Sequence, residues 1–314
     1  DMFEETQSRL IANTGVEVYL EKLYDDHTLM NHSFTGISLF GGTYDVSITG
    51  TLPNVRVTTS SNFQGAQHIS VADAFLTPIS FPGCPAGIYI SANSVVQANQ
   101  VGDMNVSGSD HDVNGNIVNG GKPAVWGVGV DNATDSVNIL AGIKKPSNIE
   151  GLVNAITGAT GYPSVGITNI GEDWAKIYQF LSNAADQTFI QDIPKGTNLG
   201  SLASPKITLV NADASVNKSI MINGDAGAGI MVVNGNIKFA GNFTYQGIIL
   251  CYKNSDLTFE STGTNQVVGG IIIAGKNITF KLAGTMNVKH SKAAIDAVRA
   301  NLKSNGFKIL AWYE

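Results

Sequence analysis

Between residues 206 and 288 the chain breaks into short apolar runs separated by corners rich in Asn and Gly. The runs include Lys206–Val210, Gly229–Val233, Gly247–Cys251, Val267–Ile273 and Thr285–Val288. The corners include Asn234-Gly235-Asn236, Ala240-Gly241-Asn242 and Thr262-Gly263. Short, evenly punctuated strands predict a sandwich or a solenoid. Ile248-Ile249-Leu250 and Ile271-Ile272-Ile273 lack alternation, which predicts strands covered on both faces. Asn and Gly tolerate left-handed backbone best, as tight corners require. A parallel β-helix (solenoid) meets all of these conditions and is the expected fold of this region, within a mainly β chain that also carries helices.

The flanking segments read differently. Residues 2–25 predict one long helix, with Phe3, Leu10, Val16, Leu20 and Leu23 at three- to four-residue steps. Gly15 costs this helix about 1 kcal/mol against Ala and points to close packing or a bend. Over 34–76, Ser47–Gly50 and Val55–Thr59 alternate as half-buried hairpin strands. Short apolar runs continue from 86 to 143. Ile149, Leu152, Val153 and Ile156, then Trp174, Ile177, Tyr178 and Leu181, predict a helical insertion. Ser291 is a good N-cap for a helix over Ala293–Leu302, with Asn305-Gly306 as its stop. Phe307–Trp312 reads as a last strand. The end helix is expected to cap the solenoid. The predicted divisions are 1–30 (helix), 31–146 (β-rich), 147–200 (helical insertion) and 201–314 (solenoid with C-terminal helix).

Composition narrows the function. Apolar residues are 43% of the 314, enough for a sizeable core, and charged residues are 14%, against about 25% in typical globular chains. A net charge of −6 leaves no basic stripe for phosphates, so nucleic acid is not an expected partner. Cys84 and Cys251 either pair or stay as buried thiols. No apolar run reaches the length of a transmembrane helix. The chain opens Asp1-Met2-Phe3 straight into the helical pattern, as it would if an apolar membrane anchor had been cut away just upstream.

Most chemical motifs fail on inspection. Gly270 to Asn277 nearly matches a phosphate-binding P-loop, but Asn277 replaces the Ser or Thr that holds magnesium and a strand follows. Gly224 to Gly229 also precedes a strand, not a helix. Asp110, Asp112 and Asn114, followed by Gly115 and Ile117, match the first part of a calcium loop. Gly121 stands where its bidentate Glu belongs, so Asp103, Asp131 or Asp135 would have to help. The competing reading is a polar turn braced by Asx caps. No other cofactor is implied. The five histidines form no HExxH and no GxSxG elbow is present, so no catalytic residue is assigned. Trp126, Trp174 and Trp312 are candidates for sugar stacking or for core packing.

Gly227–Ile249, with Val232-Val233-Asn234-Gly235-Asn236 and Phe243-Thr244-Tyr245-Gln246-Gly247 inside it, resembles the PilX-like pilus-assembly proteins. Ile11–Glu17, Val106–Asp110, Val267–Ile272, His290–Ile295 and Ile309–Glu314 are similar to that family in the same order. The resemblance implies an N-terminal membrane helix, here absent, and a large β-rich outer region with no catalytic residues. The expected function is a non-enzymatic pilus-associated or cell-envelope structural protein with an adhesive role. Its expected partners are other pilin-like or envelope proteins, surface glycans, and the membrane through a preceding segment. A carbohydrate-binding or carbohydrate-cleaving secreted β-helix is the first alternative. A self-assembling scaffold is the second.

Overall fold

The long helix forms where it is expected, as α1 (Met2–Asp25). It belongs to a computed structural model that describes the chain apart from residues 26, 52–53, 77–80, 101, 153–162, 224–225, 283, 306 and 314. The chain separates into two compact units. One comprises Asp1–Ser80 and Leu302–Glu314, the other Phe81–Asn301. The four segments expected from sequence cut across this division.

In the first unit, β1 (Ser33–Leu39), β2 (Gly42–Thr51), β3 (Asn54–Phe63) and β4 (Ala66–Leu76) form an antiparallel sheet. The C-terminal strand, Phe307–Tyr313, pairs antiparallel with β4. The second unit is thus inserted in the chain between two neighbouring strands of one sheet. The β-strands alternate, so one face is apolar. Val46, Ile48, Val55, Val57, Ala72 and Ala74 are buried there in one cluster with Ile11, Val16, Tyr19, Leu20 and Leu23 of α1. Phe3 and Leu10, expected on that face, are exposed.

Gly15 marks close packing: a Cβ there would lie 2.8 Å from the Tyr44 ring. The helix–sheet seam is partly polar. The Thr59 hydroxyl donates to the Ala12 carbonyl at 2.7 Å, and the Ser61 hydroxyl to the Ser8 carbonyl at 2.6 Å. Short hydroxyl side chains let helix and strand approach while satisfying the groups they bury.

The second unit holds β5 (Ala86–Gln100), β6 (Met104–Ser107), β7 (Trp126–Val130), β8 (Ile149–Glu150) and β9 (Val165–Ile167). It continues with β10 (Gln187–Phe189), β11 (Lys206–Asn211), β12 (Ser219–Asn223), β13 (Ala226–Asn234) and β14 (Asn236–Ala240). The long strands β15 (Thr244–Ser261) and β16 (Thr264–Leu282) follow, then β17 (Thr285–His290). Three helices accompany them: α2 (Ala133–Gly142), α3 (Trp174–Asn183) and α4 (Lys292–Asn305). All named strand pairings in this unit are parallel, and one ladder runs β10-β11-β13-β15-β16-β5-β7-β9.

The expected fold class is corrected here. The chain is mainly β, with one antiparallel and one parallel sheet and four helices, and no closed solenoid is found among the described residues. Nor does strand order follow chain order: β5 inserts beside β16, which comes far later in sequence. The physical reason is that periodicity specifies which face of a strand is buried, whereas partner choice depends on contacts distant in sequence. The end helix is not a cap either. Val298 of α4 stands next to Gly247, in the interior strand β15, and Ile295 stands next to Gly83.

The helical insertion is also reduced. Ile149 lies in β8 after a single 3-10 turn at Pro146–Asn148, and Val153 and Ile156 lie outside the described residues. Helix α3 forms as expected, while α2 was not expected.

The apolar strands are covered twice. On one side Ile88, Ile90, Val128, Met231, Val233, Ile249, Ile271 and Ile273 share a core. The alternate residues Ile230, Val232, Ile248, Leu250 and Ile272 are buried as well. So are Trp174, Ile177, Phe180 and Leu181 of α3 and Ala294, Ile295 and Val298 of α4. Phe239, Phe259 and Phe280 pack across neighbouring strands with centroids 5.4 Å apart at each step, the first pair tilted and the second stacked. Cys84 and Cys251 are both free and buried. Burial pushes the Cys84 thiol up to about 12 and that of Cys251 up as well. They are packing residues rather than nucleophiles.

Candidate functional site

Parallel register sets side chains from distant sequence in rows. Tyr252 of β15 lies beside Ala274 of β16, and Ala274 beside Ser91 of β5. One residue on, Lys253, Gly275 and Ala92 form the next row. These rows floor an open groove of about 550 Å³, walled by the start of α3 and by Asp131.

Each wall is held. Asp131 accepts from the Tyr89 hydroxyl at 2.5 Å and from the Ser91 hydroxyl at 2.7 Å. Burial, then the bond to Asp131, pushes the Tyr89 phenol up, so it stays a donor. Tyr89 also packs on Trp174 at 5.9 Å. Asp173 caps α3 by accepting from the Lys176 amide at 3.1 Å, and that bond chiefly holds its carboxyl below the usual range. Tyr178 of α3 stacks on Tyr252 at 5.1 Å and 25°. Lys253 is paired with Asp213 at 3.0 Å. The exposed Asn93, Asn254 and Lys276 complete the rim. Fixed acceptors, amides and aromatic rings in one concave surface suit a polar, uncharged ligand.

The candidate calcium loop is braced by its own backbone. Asp112 Oδ1 accepts from the amides of Asn114 and Asn116, both at 2.9 Å, and Oδ2 accepts from the Asn116 side chain. The Asn116 amide is the main reason the Asp112 carboxyl sits below its usual range. Asp110 accepts from the amides of Lys122 and Lys292, at 3.0 and 3.2 Å. These bonds are the Asx-turn pattern, and Asn114 lies at the exposed turn. No group of three metal-ligating His, Cys, Asp or Glu side chains occurs among the described residues. Of the further donors considered, Asp131 is in the groove and Asp135 accepts from the Val95 amide at 2.8 Å. Asp103 is paired with Lys145.

Two histidines are buried structural groups. His111 Nδ1 faces the carbonyls of Ser109 and His290, at 2.7 and 3.1 Å, so that nitrogen carries the proton. His290 Nε2 faces the Cys84 carbonyl at 3.2 Å, and burial lowers its pKa. Ser291 caps α4 by accepting from the Ala294 amide at 3.1 Å. The near P-loop Gly270–Asn277 lies wholly inside the strand β16.

Sequence reasoning weighed Asp131 only as a calcium donor and did not assemble the groove. One local signal was available: Asn132 with Asp135 three residues on is an N-cap pattern. Its geometry is realised in α2, where Asn132 Oδ1 accepts from the Asp135 amide at 2.9 Å.

No protein-family model matches the chain, and no curated protein is similar to it. Among solved structures, the crystal structure of the competence-associated pilin ComZ from Thermus thermophilus is similar over 99% of this chain and 97% of that one. Its identity is 9% and its TM-score 0.27, a level at which the likeness carries no conclusion. No match singles out the PilX-like family.

Proposed function

We propose that the chain is a non-enzymatic, pilus-associated structural protein of the bacterial cell envelope, joined to pilin-like neighbours and the membrane through the start of α1. One observation carries this reading: α1 buries apolar residues along its later part and leaves large apolar residues exposed near its start. From Ile11 to Leu23 its apolar face is buried on its own sheet. Nearer the start, Met2, Phe3 and Leu10 are 82%, 61% and 49% exposed. Large apolar groups clustered on an open helix end call for cover by a neighbouring subunit or by lipid. No helix among the described residues is long and apolar enough to cross a membrane. Insertion of the second unit in the chain between β4 and the C-terminal strand leaves the pairing of that sheet unbroken.

The test uses the full-length protein in the cell that makes it, with Met2, Phe3 and Leu10 all replaced by Ser. The wild type is expected in the envelope and sheared-fibre fractions. The variant is expected to leave them while keeping its melting temperature after purification. Equal amounts of both forms in those fractions, or a wild type found only as free monomer in the medium, would overturn the reading. No cofactor enters this function, and millimolar calcium is expected to leave the melting temperature unchanged. A rise of several degrees that is lost in Asp112→Asn would assign the Asp110–Ile117 loop a cation instead.

A further inference from the structure

We propose that the groove between Asp131, Trp174 and Tyr252 binds an uncharged pyranose chain. The argument rests on what the groove offers and what it lacks. A sugar ring presents hydroxyls, which both donate and accept, around faces of C–H that pack on aromatic rings. The groove supplies carboxylate acceptors at Asp131 and Glu172, exposed amides at Asn93 and Asn254, and the half-buried ring of Tyr252, with the buried Trp174 in its lining. Its volume of about 550 Å³ falls in the range of small-molecule sites.

Charge selects against the acidic glycans. Asp131, Glu172 and Asp173 line the groove against Lys253 and Lys276. Lys253 is paired with Asp213 and Asp173 with Lys176, which leaves Asp131 and Glu172 against Lys276, a small negative surplus that disfavours uronate, sulfate or phosphate. Fat-like ligands are disfavoured because Ser91, the two asparagines, the three acids and the two lysines make most of the lining polar.

Shape is set in advance. Ser91 and Tyr252 are carried on paired interior strands. Asp131 is pinned by two hydroxyls, and the Tyr252 ring by Tyr178. A site whose side chains are already ordered loses less entropy on binding. The inference does not depend on pilus association, since no residue of α1 takes part.

Intrinsic tryptophan fluorescence and calorimetry of the purified protein test it. The probes are the neutral hexaoses of β-linked glucose, α-linked glucose and N-acetylglucosamine, with a hexagalacturonate as the charged control. At least one neutral hexaose is expected to give a saturable change below about 10 mM, whereas hexagalacturonate gives none. Asn93→Ala with Asn254→Ala alters only exposed rim residues and is expected to weaken that binding about fivefold or more without changing the melting temperature. Asp131→Asn is expected to weaken it further. The proposal is overturned if no neutral hexaose binds, if the charged one binds better, or if the rim variant binds as tightly as the wild type. Each of these results would leave the envelope and fibre fractionation of the wild type unaffected, so the two readings fail separately.

Discussion

The two units bury their strands by opposite means. In the first, an antiparallel sheet keeps one face for α1, and its strands alternate apolar and polar residues, as in the buried-exposed rhythm of β3. In the second, parallel strands such as β13 are buried almost throughout, because a common core lies on one side and α3 and α4 on the other. The first unit closes its helix–sheet seam with hydroxyls that donate to helix carbonyls. The second closes its ladders with stacked side chains and with glycines that let neighbouring strands approach. Both units satisfy polar groups that they bury: hydroxyls of the first meet helix carbonyls, and the buried Asn265 of the second donates to Ser261 and to the Thr262 carbonyl.

The largest expected effect breaks the second unit at its tightest point. Gly229, Gly247 and Gly269 form a column with φ of +138°, +124° and +141°. A Cβ on Gly269 would run into the carbonyl of Gly247. Gly269→Ala is expected to cost about 3–5 kcal/mol from backbone strain and overpacking together. Chemical denaturation read from Trp126 and Trp174, which belong to the second unit, checks this. A loss under about 1 kcal/mol would mean that the column is not constrained.

A smaller effect should appear in the first unit alone. Thr59→Val removes the hydroxyl that donates to Ala12 and leaves that carbonyl without this partner. The expected loss is about 1–3 kcal/mol, read from Trp312, which lies in the C-terminal strand of that unit. An equal loss in the second unit's transition would show that the seam is not local.

Smaller still is the cross-strand pair Arg56–Asp73, two bonds at 2.6 and 2.7 Å between directly opposed residues of β3 and β4. The Arg56 bond holds the Asp73 carboxyl below its ordinary 3.8. Its contribution is therefore present above that pH and lost as pH falls through the lowered folded value. Because the pair is exposed, added salt should weaken it. Asp73→Asn should remove this acid-limb dependence in a comparison of melting temperature against pH, and an unchanged limb would deny the pair any role.

The smallest effect sharpens the contrast in sign. The Tyr245 hydroxyl is buried without a hydrogen-bond partner among the described residues, while its ring stacks on Phe243 at 5.7 Å. Tyr245→Phe is expected to be neutral or slightly stabilising, measured as the denaturation midpoint. A clear loss would reveal a partner for the hydroxyl.

Much of the secondary structure was legible from local chemistry. The α1 span, the N-cap at Ser291, and most strands from 206 to 288 follow from periodicity, capping and Asn/Gly corners, each of which acts over a few residues. Helix α2 was missed because Gly127-Val128-Gly129-Val130 just before it reads as strand and its own apolar face is weak. The groove was not legible at all. Ser91, Asp131, Trp174 and Tyr252 meet only because strands far apart in sequence pair in a particular register, and nothing near any of them announces the others.

Sequence alone therefore determined most of the strands and the helices α1, α3 and α4, and which of their faces must be buried. Tertiary structure alone decided that β5 pairs with β16, that the C-terminal strand returns to β4, that α4 lies beside Gly247, and that Asp110 of the calcium-like loop accepts from the Lys292 amide of α4. The reason is physical. Patterning and capping energies are local, whereas strand pairing is a choice among many similar edges, decided by the summed fit of contacts that exist only once the chain has folded.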